Sequence, residues 1–228
     1  METLEKEGKF LISCYDVDRV THWLKHTCAP DPSFAFGVVS SIYYDTRDWD
    51  FLREKVNSDY LKTKVRLRWY GSSVDSPAEG AAFAEVKYRI GSLRDKIRVK
   101  THYSAEWLSG VGLENSDLLR VPLLIQAHGF RLHKPVFPAF VVSYCRQRFV
   151  ERLSGARVCL DYAISAPRVN RQTLPRALPA KLSVAVFEVK SSDGEMPTVL
   201  RRLVALGCKK DSFSKYLACY QKLTRLVF

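Results

Sequence analysis

Lys64, Arg66 and Arg68 occupy alternate positions of the run Lys64-Val65-Arg66-Leu67-Arg68-Trp69-Tyr70. Side chains alternate faces along a strand, so this run puts three cations on one face and Val65, Leu67 and Trp69 on the other. The pattern recurs at Glu85, Lys87 and Arg89, at Lys96, Arg98 and Lys100, at Tyr144, Arg146 and Arg148, and at Glu188 and Lys190. Charged alternation is the ordinary mark of a solvated sheet face. Like charges on neighbouring strands repel, however, and open surfaces usually mix signs. A face this rich in cations suits an anion held against it.

The elements that must carry these residues follow from periodicity and turn chemistry. Strands are expected at 8–13, 38–44, 62–70, 82–90, 94–101, 139–149, 156–162 and 183–190. Asp16 reads as the N-cap of a helix to Cys28 that Pro30 and Pro32 stop, with Val20, Trp23, Leu24 and Thr27 on one face. Further helices are expected from Asp48 to Lys55, Ser116 to His128 (with Pro122 in or near its first turn), Pro197 to Ala205, and from Ser214 onward. Residues 72–80 read as a turn region and 164–182 as a proline-rich basic loop. The expected fold is α+β: one domain over 1–228, an antiparallel eight-stranded β-barrel with helices in the connections and a C-terminal helix. Eight closed strands leave room for side chains or one slim ligand, and charged faces turned inward would make a basic tunnel.

Composition agrees with a polyanionic partner. The 228 residues are 46% hydrophobic, enough for a sizeable core, and 36 Lys and Arg against 24 acids give a net charge of +12. Nucleic acid, an anionic membrane and a phosphate compound all fit that charge. Aromatics are not interleaved with the cations as stacking platforms, which argues against nucleic acid. The cysteines at 14, 28, 145, 159, 208 and 219 form no C-x-x-C pair and read as buried thiols of a reducing compartment. None of the five histidines, His22, His26, His102, His128 and His133, reads as having ligand spacing. No signal peptide or membrane-spanning run is visible, so a cytoplasmic location is expected.

The ordered set Ser41-Ile42-Tyr43-Tyr44-Asp45-Thr46, Lys64-x-Arg66-x-Arg68-Trp69-Tyr70-Gly71, Glu85-Val86-Lys87, Tyr144-x-Arg146, Leu160-Asp161, Phe187-Glu188-Val189-Lys190 and Phe213-Ser214-Lys215-Tyr216 spans nearly the whole chain. It resembles the VTC domain, the polyphosphate polymerase domain of the vacuolar transporter chaperone family. That domain belongs to the triphosphate tunnel metalloenzymes, with CYTH-type adenylate cyclases and thiamine triphosphatases. The resemblance implies phosphate contacts at Lys9, Arg66, Arg68, Lys87, Lys96, Tyr144, Arg146, Arg157, Ser214 and Lys215. It makes Arg66, Arg68, Lys87, Arg146 and Lys215 the catalytic cations and Glu188 the ligand of a divalent metal, Mn²⁺ or Mg²⁺. Lys64 lies one step outward and is read as guarding the entrance. The chain departs from the family at Ser212, where a basic residue is usual and which Lys209 or Lys210 could replace. Glu5-x-Glu7-x-Lys9 instead matches the broader superfamily, whose acids bind metal.

Phosphoryl transfer asks a protein for positioning and charge neutralisation, usually with a divalent metal, rather than covalent help. The resemblance therefore implies an ATP-polyphosphate phosphotransferase that extends a polyphosphate chain. Two alternatives stay open: a metal-dependent triphosphatase or polyphosphatase, and a non-catalytic polyphosphate or nucleotide sensor. The expected partners are ATP, triphosphate and polyphosphate, and any membrane partner would be a separate polypeptide. Glu85 shares the parity of Lys87 and is either an inward acid or a structural ion-pair partner. Ser214 is also a candidate N-cap, Asp161 reads as structural, and Trp23 and Trp49 read as core.

Overall fold

A computed structural model describes residues 6–57, 60–71, 80–91, 93–191 and 196–224. Glu5 and most of the expected turn at 72–80 lie outside that set. The elements, in chain order, are β1 (Lys6–Ser13), α1 (Val17–Thr27), β2 (Cys28–Pro30), β3 (Phe36–Asp45), α2 (Asp50–Val56), β4 (Leu61–Gly71), β5 (Ala81–Ile90), β6 (Leu93–Ser104), α3 (Ala105–Gly110) and α4 (Arg120–Ala127). There follow β7 (Phe137–Glu151), β8 (Arg157–Ala166), β9 (Ala180–Lys181), β10 (Val184–Ser191), α5 (Arg202–Ala205), β11 (Lys209–Lys210) and α6 (Lys215–Thr224).

The α+β reading holds, with antiparallel pairing in each register given below and helices in the connections. The eight long strands are the eight expected ones; β2, β9 and β11, of two or three residues each, bring the sheet to eleven. The strand order β11-β1-β10-β8-β7-β3-β4-β5-β6 is an open path, and no pairing joins its two ends among the described residues. The short strands were hidden for a physical reason: two or three residues are too few for a period-two pattern to register. The segment Ala105–Gly110, read as part of no element, is a helix capped by Ser104, whose hydroxyl accepts from the Trp107 amide. The expected helix at 116–128 splits into a 3₁₀ turn over Ser116–Leu119 and α4, with Pro122 in the first turn of α4. Asp16 precedes α1 without a side-chain capping bond.

The chain forms two compact units. In the first (residues 1–37, 144–164 and 182–214), the alternation of β1, β8 and β10 puts Phe10, Ile12, Val158, Leu160, Phe187 and Val189 on one face. That face packs with Val20 and Leu24 of α1 into one core. In the second (38–143, 165–181 and 215–228), Val65, Leu67 and Trp69 of β4 join Ala82, Ala84 and Val86 of β5 and Leu108, Leu118, Val121 and Ile125 from the α3–α4 region. Trp49 and Trp23 are half-buried at the margins rather than central. Trp49 has φ of 58°, an uncommon left-handed conformation at the start of α2, where its ring lies 4.6 Å from that of Tyr220.

Candidate anion-binding site

Cross-strand register decides which side chains share a face, because directly opposed residues of an antiparallel pair point the same way. On β4, β5 and β6 it aligns Lys62, Arg89 and Arg94 in one row; Lys64, Lys87 and Lys96 in the next; Arg66, Glu85 and Arg98 in a third; and Arg68, Phe83 and Lys100 in a fourth. All four rows lie on the face opposite the second unit's core. Ten cations thus flank a single acid, and four of them, Arg66, Arg68, Lys87 and Lys96, are the expected phosphate contacts of this unit.

Glu85 is 2% exposed and sits at the centre of the arginines. Arg66 Nη2 lies 2.6 Å and Arg68 Nη1 3.8 Å from its Oε2, and Arg98 Nε lies 3.3 Å from its Oε1. Burial alone would raise the Glu85 carboxyl, but Arg66 and Arg68 hold it below its ordinary value. The residue is therefore the ion-pair partner that fixes the arginine fan. Arg68 Nε also donates to Ser41 Oγ at 3.3 Å, Arg66 Nη1 approaches Tyr43 OH at 3.5 Å, and the Arg98 guanidinium covers the Phe83 ring at 3.8 Å. Tyr43 is buried, which would raise its phenol, yet Arg66, Lys64 and Arg68 pull it down to about 8.

A stack supports this face from behind Tyr43. The Tyr43 ring lies 4.6 Å from that of Tyr216 on α6, which lies 5.1 Å from Phe140. Tyr216 OH donates to Asp45 Oδ2 at 2.8 Å, and Asp45 also accepts from the amides of Thr46, Phe51 and Leu52. Burial outweighs these four donors and pushes the Asp45 carboxyl up to about 6. Asp45 thereby ties the start of α2 to α6, whose first residue is Lys215. Ser214 is buried at the position preceding α6.

In the first unit, β1, β10 and β8 carry a second charged face, opposite Phe10, Phe187 and Leu160. Lys9 is paired with Glu188, and Glu188 with Cys159. Lys9 Nζ lies 3.6 Å from Glu188 Oε1, and Arg146 Nη2 of β7 lies 3.4 Å from Glu188 Oε2. Arg146 is itself held by a two-pronged pair to Asp161, with Nε to Oδ1 at 2.5 Å and Nη2 to Oδ2 at 2.6 Å, and its guanidinium lies 5.3 Å from the Tyr144 ring centre. Burial works against the Arg146 charge, but Tyr144, Asp161 and Glu188 more than offset it and raise its pKa well above the usual value. Asp161, with no exposed side-chain surface, thus anchors Arg146, as its structural reading required.

The first unit brings together Lys9, Tyr144, Arg146 and Glu188. Arg157 is exposed and shares their face through its pairing with Lys190. Glu7 also lies on it, with Oε1 3.1 Å from Lys9 Nζ. Of the two lysines considered in place of a base at Ser212, Lys209 pairs with Leu11 and falls on the Lys9 face, while Lys210 pairs with Phe10 on the other. Sequence reasoning missed Tyr43 and Cys159; their parity with Lys9, Arg66 and Glu188 becomes visible only once register is known.

A metal at Glu188 would find oxygen ligands of the kind Mg²⁺ and Mn²⁺ prefer. Among the described residues no three His, Cys, Asp or Glu side chains gather into a self-sufficient metal site. One buried carboxylate fits such a cation only where phosphate oxygens complete its shell, which is how Mg²⁺ is commonly held.

An open antiparallel sheet with arginine- and lysine-lined faces has the fold of the triphosphate tunnel, CYTH-like, proteins. In fold it is similar to the PH1819 protein of Pyrococcus horikoshii OT3 (TM-score 0.51, 13% identity, 96% of this chain and 99% of that one). It is also similar to a candidate adenylate cyclase of Bacillus halodurans (TM-score 0.51, 14% identity, 92% and 93%). The VTC domain family matches residues 4–224, and the chain belongs to that family. No match is found among curated proteins. No helix among the described residues is long and apolar enough to cross a membrane.

Proposed function

We propose that this protein is a polyphosphate polymerase that transfers the terminal phosphate of ATP to a growing polyphosphate chain. The observation that carries the reading is the set of four parallel rows on β4–β5–β6. Residues two apart on a strand are separated by about 6.7 Å, so four rows extend over about 20 Å. A triphosphate, with two P–O–P links, engages only part of such a face, whereas a longer chain engages all of it. Arg66 and Arg68 present guanidinium forks to phosphate oxygens, and Lys87 and Lys96 add point charges. In the first unit, Arg146 held rigid by Asp161 would neutralise charge developing on the transferred group.

Glu188, with Lys9 and Arg146 on its two oxygens, is the residue that would hold a divalent cation, Mn²⁺ or Mg²⁺. When bound, that cation supplies charge neutralisation and fixes phosphate geometry. Lys215, the first residue of α6, is a further candidate anion contact, as is Ser214 before it, since a helix N-terminus favours negative charge. The test is direct: purified protein with ATP and Mn²⁺ should make long polyphosphate, and Glu188→Gln should not. Failure of the wild type to make chains with any divalent metal overturns the reading.

One observation favours a second reading, hydrolysis of triphosphate. Glu7 stands on the Lys9 and Glu188 face, where an additional acid would help recruit metal-activated water. Glu7→Gln should abolish phosphate release if the reaction is hydrolysis, and should leave chain formation intact if it is polymerisation.

A further inference from the structure

We propose that His22 and His26 on α1 form a separate site for a borderline divalent transition metal, Ni²⁺, Zn²⁺ or Cu²⁺. The two residues are four apart and therefore one above the other on the helix. Their Nε2 atoms lie 3.2 Å apart, with ring centres 4.6 Å apart and planes inclined at 71°. Two nitrogens at that distance, each about 2.05 Å from one ion, subtend an angle of roughly 100° at it, between the square and tetrahedral values. The pair already has the spacing of adjacent ligands.

Both histidines are exposed, so a metal can reach them without moving the helix. At present one Nε2–H must donate to the other ring; a metal would accept both lone pairs, with both protons on Nδ1. Imidazole selects Ni²⁺, Zn²⁺ and Cu²⁺ over the hard cations suited to carboxylate and phosphate oxygens. Among the described residues no third His, Cys, Asp or Glu completes a cluster here, so water fills the remaining positions. On the opposite side of α1, Val20 and Leu24 pack in the core shared with Phe10 and Phe187. A metal bridging successive turns of α1 therefore reinforces the layer that backs Lys9 and Glu188.

The experiment is titration of the full chain with Ni²⁺ in excess Mg²⁺ near neutral pH. It is followed by calorimetry and by paramagnetic broadening of the histidine ring signals. The expected result is one equivalent bound, with His22 and His26 broadened and His102, His128 and His133 not, and a rise in melting temperature. Binding should vanish in His22→Gln and in His26→Gln, both at exposed positions and checked for folding by circular dichroism. It should persist in Glu188→Gln. Absence of Ni²⁺ binding by the folded wild type overturns the proposal. So does binding that survives either histidine substitution or requires Glu188.

Discussion

Glu85→Gln removes the one anion from a fan of three arginines, and its effect should change with what else is in solution. Glu85 is 2% exposed, and the side chains of Arg66 and Arg68 are 12% and 13% exposed. Taking one partner from a buried ion pair costs about 3–5 kcal/mol, chiefly because the other charge is left uncompensated. Arg98, with 37% of its side chain exposed, is screened by solvent, which places the expected loss near the lower end, about 3 kcal/mol. The glutamine still fills the space, so the loss is electrostatic and an external anion can reverse it. Urea denaturation with and without tripolyphosphate reads both effects. The variant should be less stable alone and should gain more from tripolyphosphate than the wild type, because binding no longer competes with Glu85. The wild-type contribution should be fully present above pH 4.5 and disappear as pH falls through the lowered Glu85 value. A variant as stable as the wild type, or one gaining no more from tripolyphosphate, refutes the reasoning.

Tyr43 should titrate near pH 8 in an ultraviolet difference titration, a step absent in Tyr43→Phe; tripolyphosphate should move it upward by neutralising the surrounding cations. Asp45 binds its proton more tightly in the native state, about 6 against 3.8, so stability should fall as pH rises through that window, by at most about 3 kcal/mol. Asp45→Asn should flatten that slope in denaturation curves taken across it. Arg146→Met removes the two-pronged partner of buried Asp161 and should cost about 3 kcal/mol in urea, whereas Arg146→Lys should preserve more of the fold while losing phosphate affinity in calorimetry, since lysine cannot reproduce the fork.

The long strands and the parity of their charges were legible from residues 64–70, 85–89 and 96–100 because period-two alternation is a local property. Which cations stand side by side was not, because register depends on partners far along the chain. Glu85 shows the difference: its face was readable, but its role became definite only when Arg66 and Arg98 fell opposite it. Asp45 and Tyr216 lie in two of the motifs that marked the family, and only the fold reveals that one bonds to the other. His22 and His26 show no ligand spacing as a linear motif, whereas on α1 a separation of four puts one above the other.

The row Lys64, Lys87 and Lys96 places three ammonium groups in register on adjacent strands, an arrangement that sheets ordinarily avoid. Its consequence concerns handling as much as chemistry. For an ordinary domain, salt weakens surface ion pairs; here added salt, and sulfate or phosphate above all, should stabilise the fold by screening or filling a repulsive row. A preparation washed free of anions should therefore melt at a lower temperature than one in sulfate or phosphate.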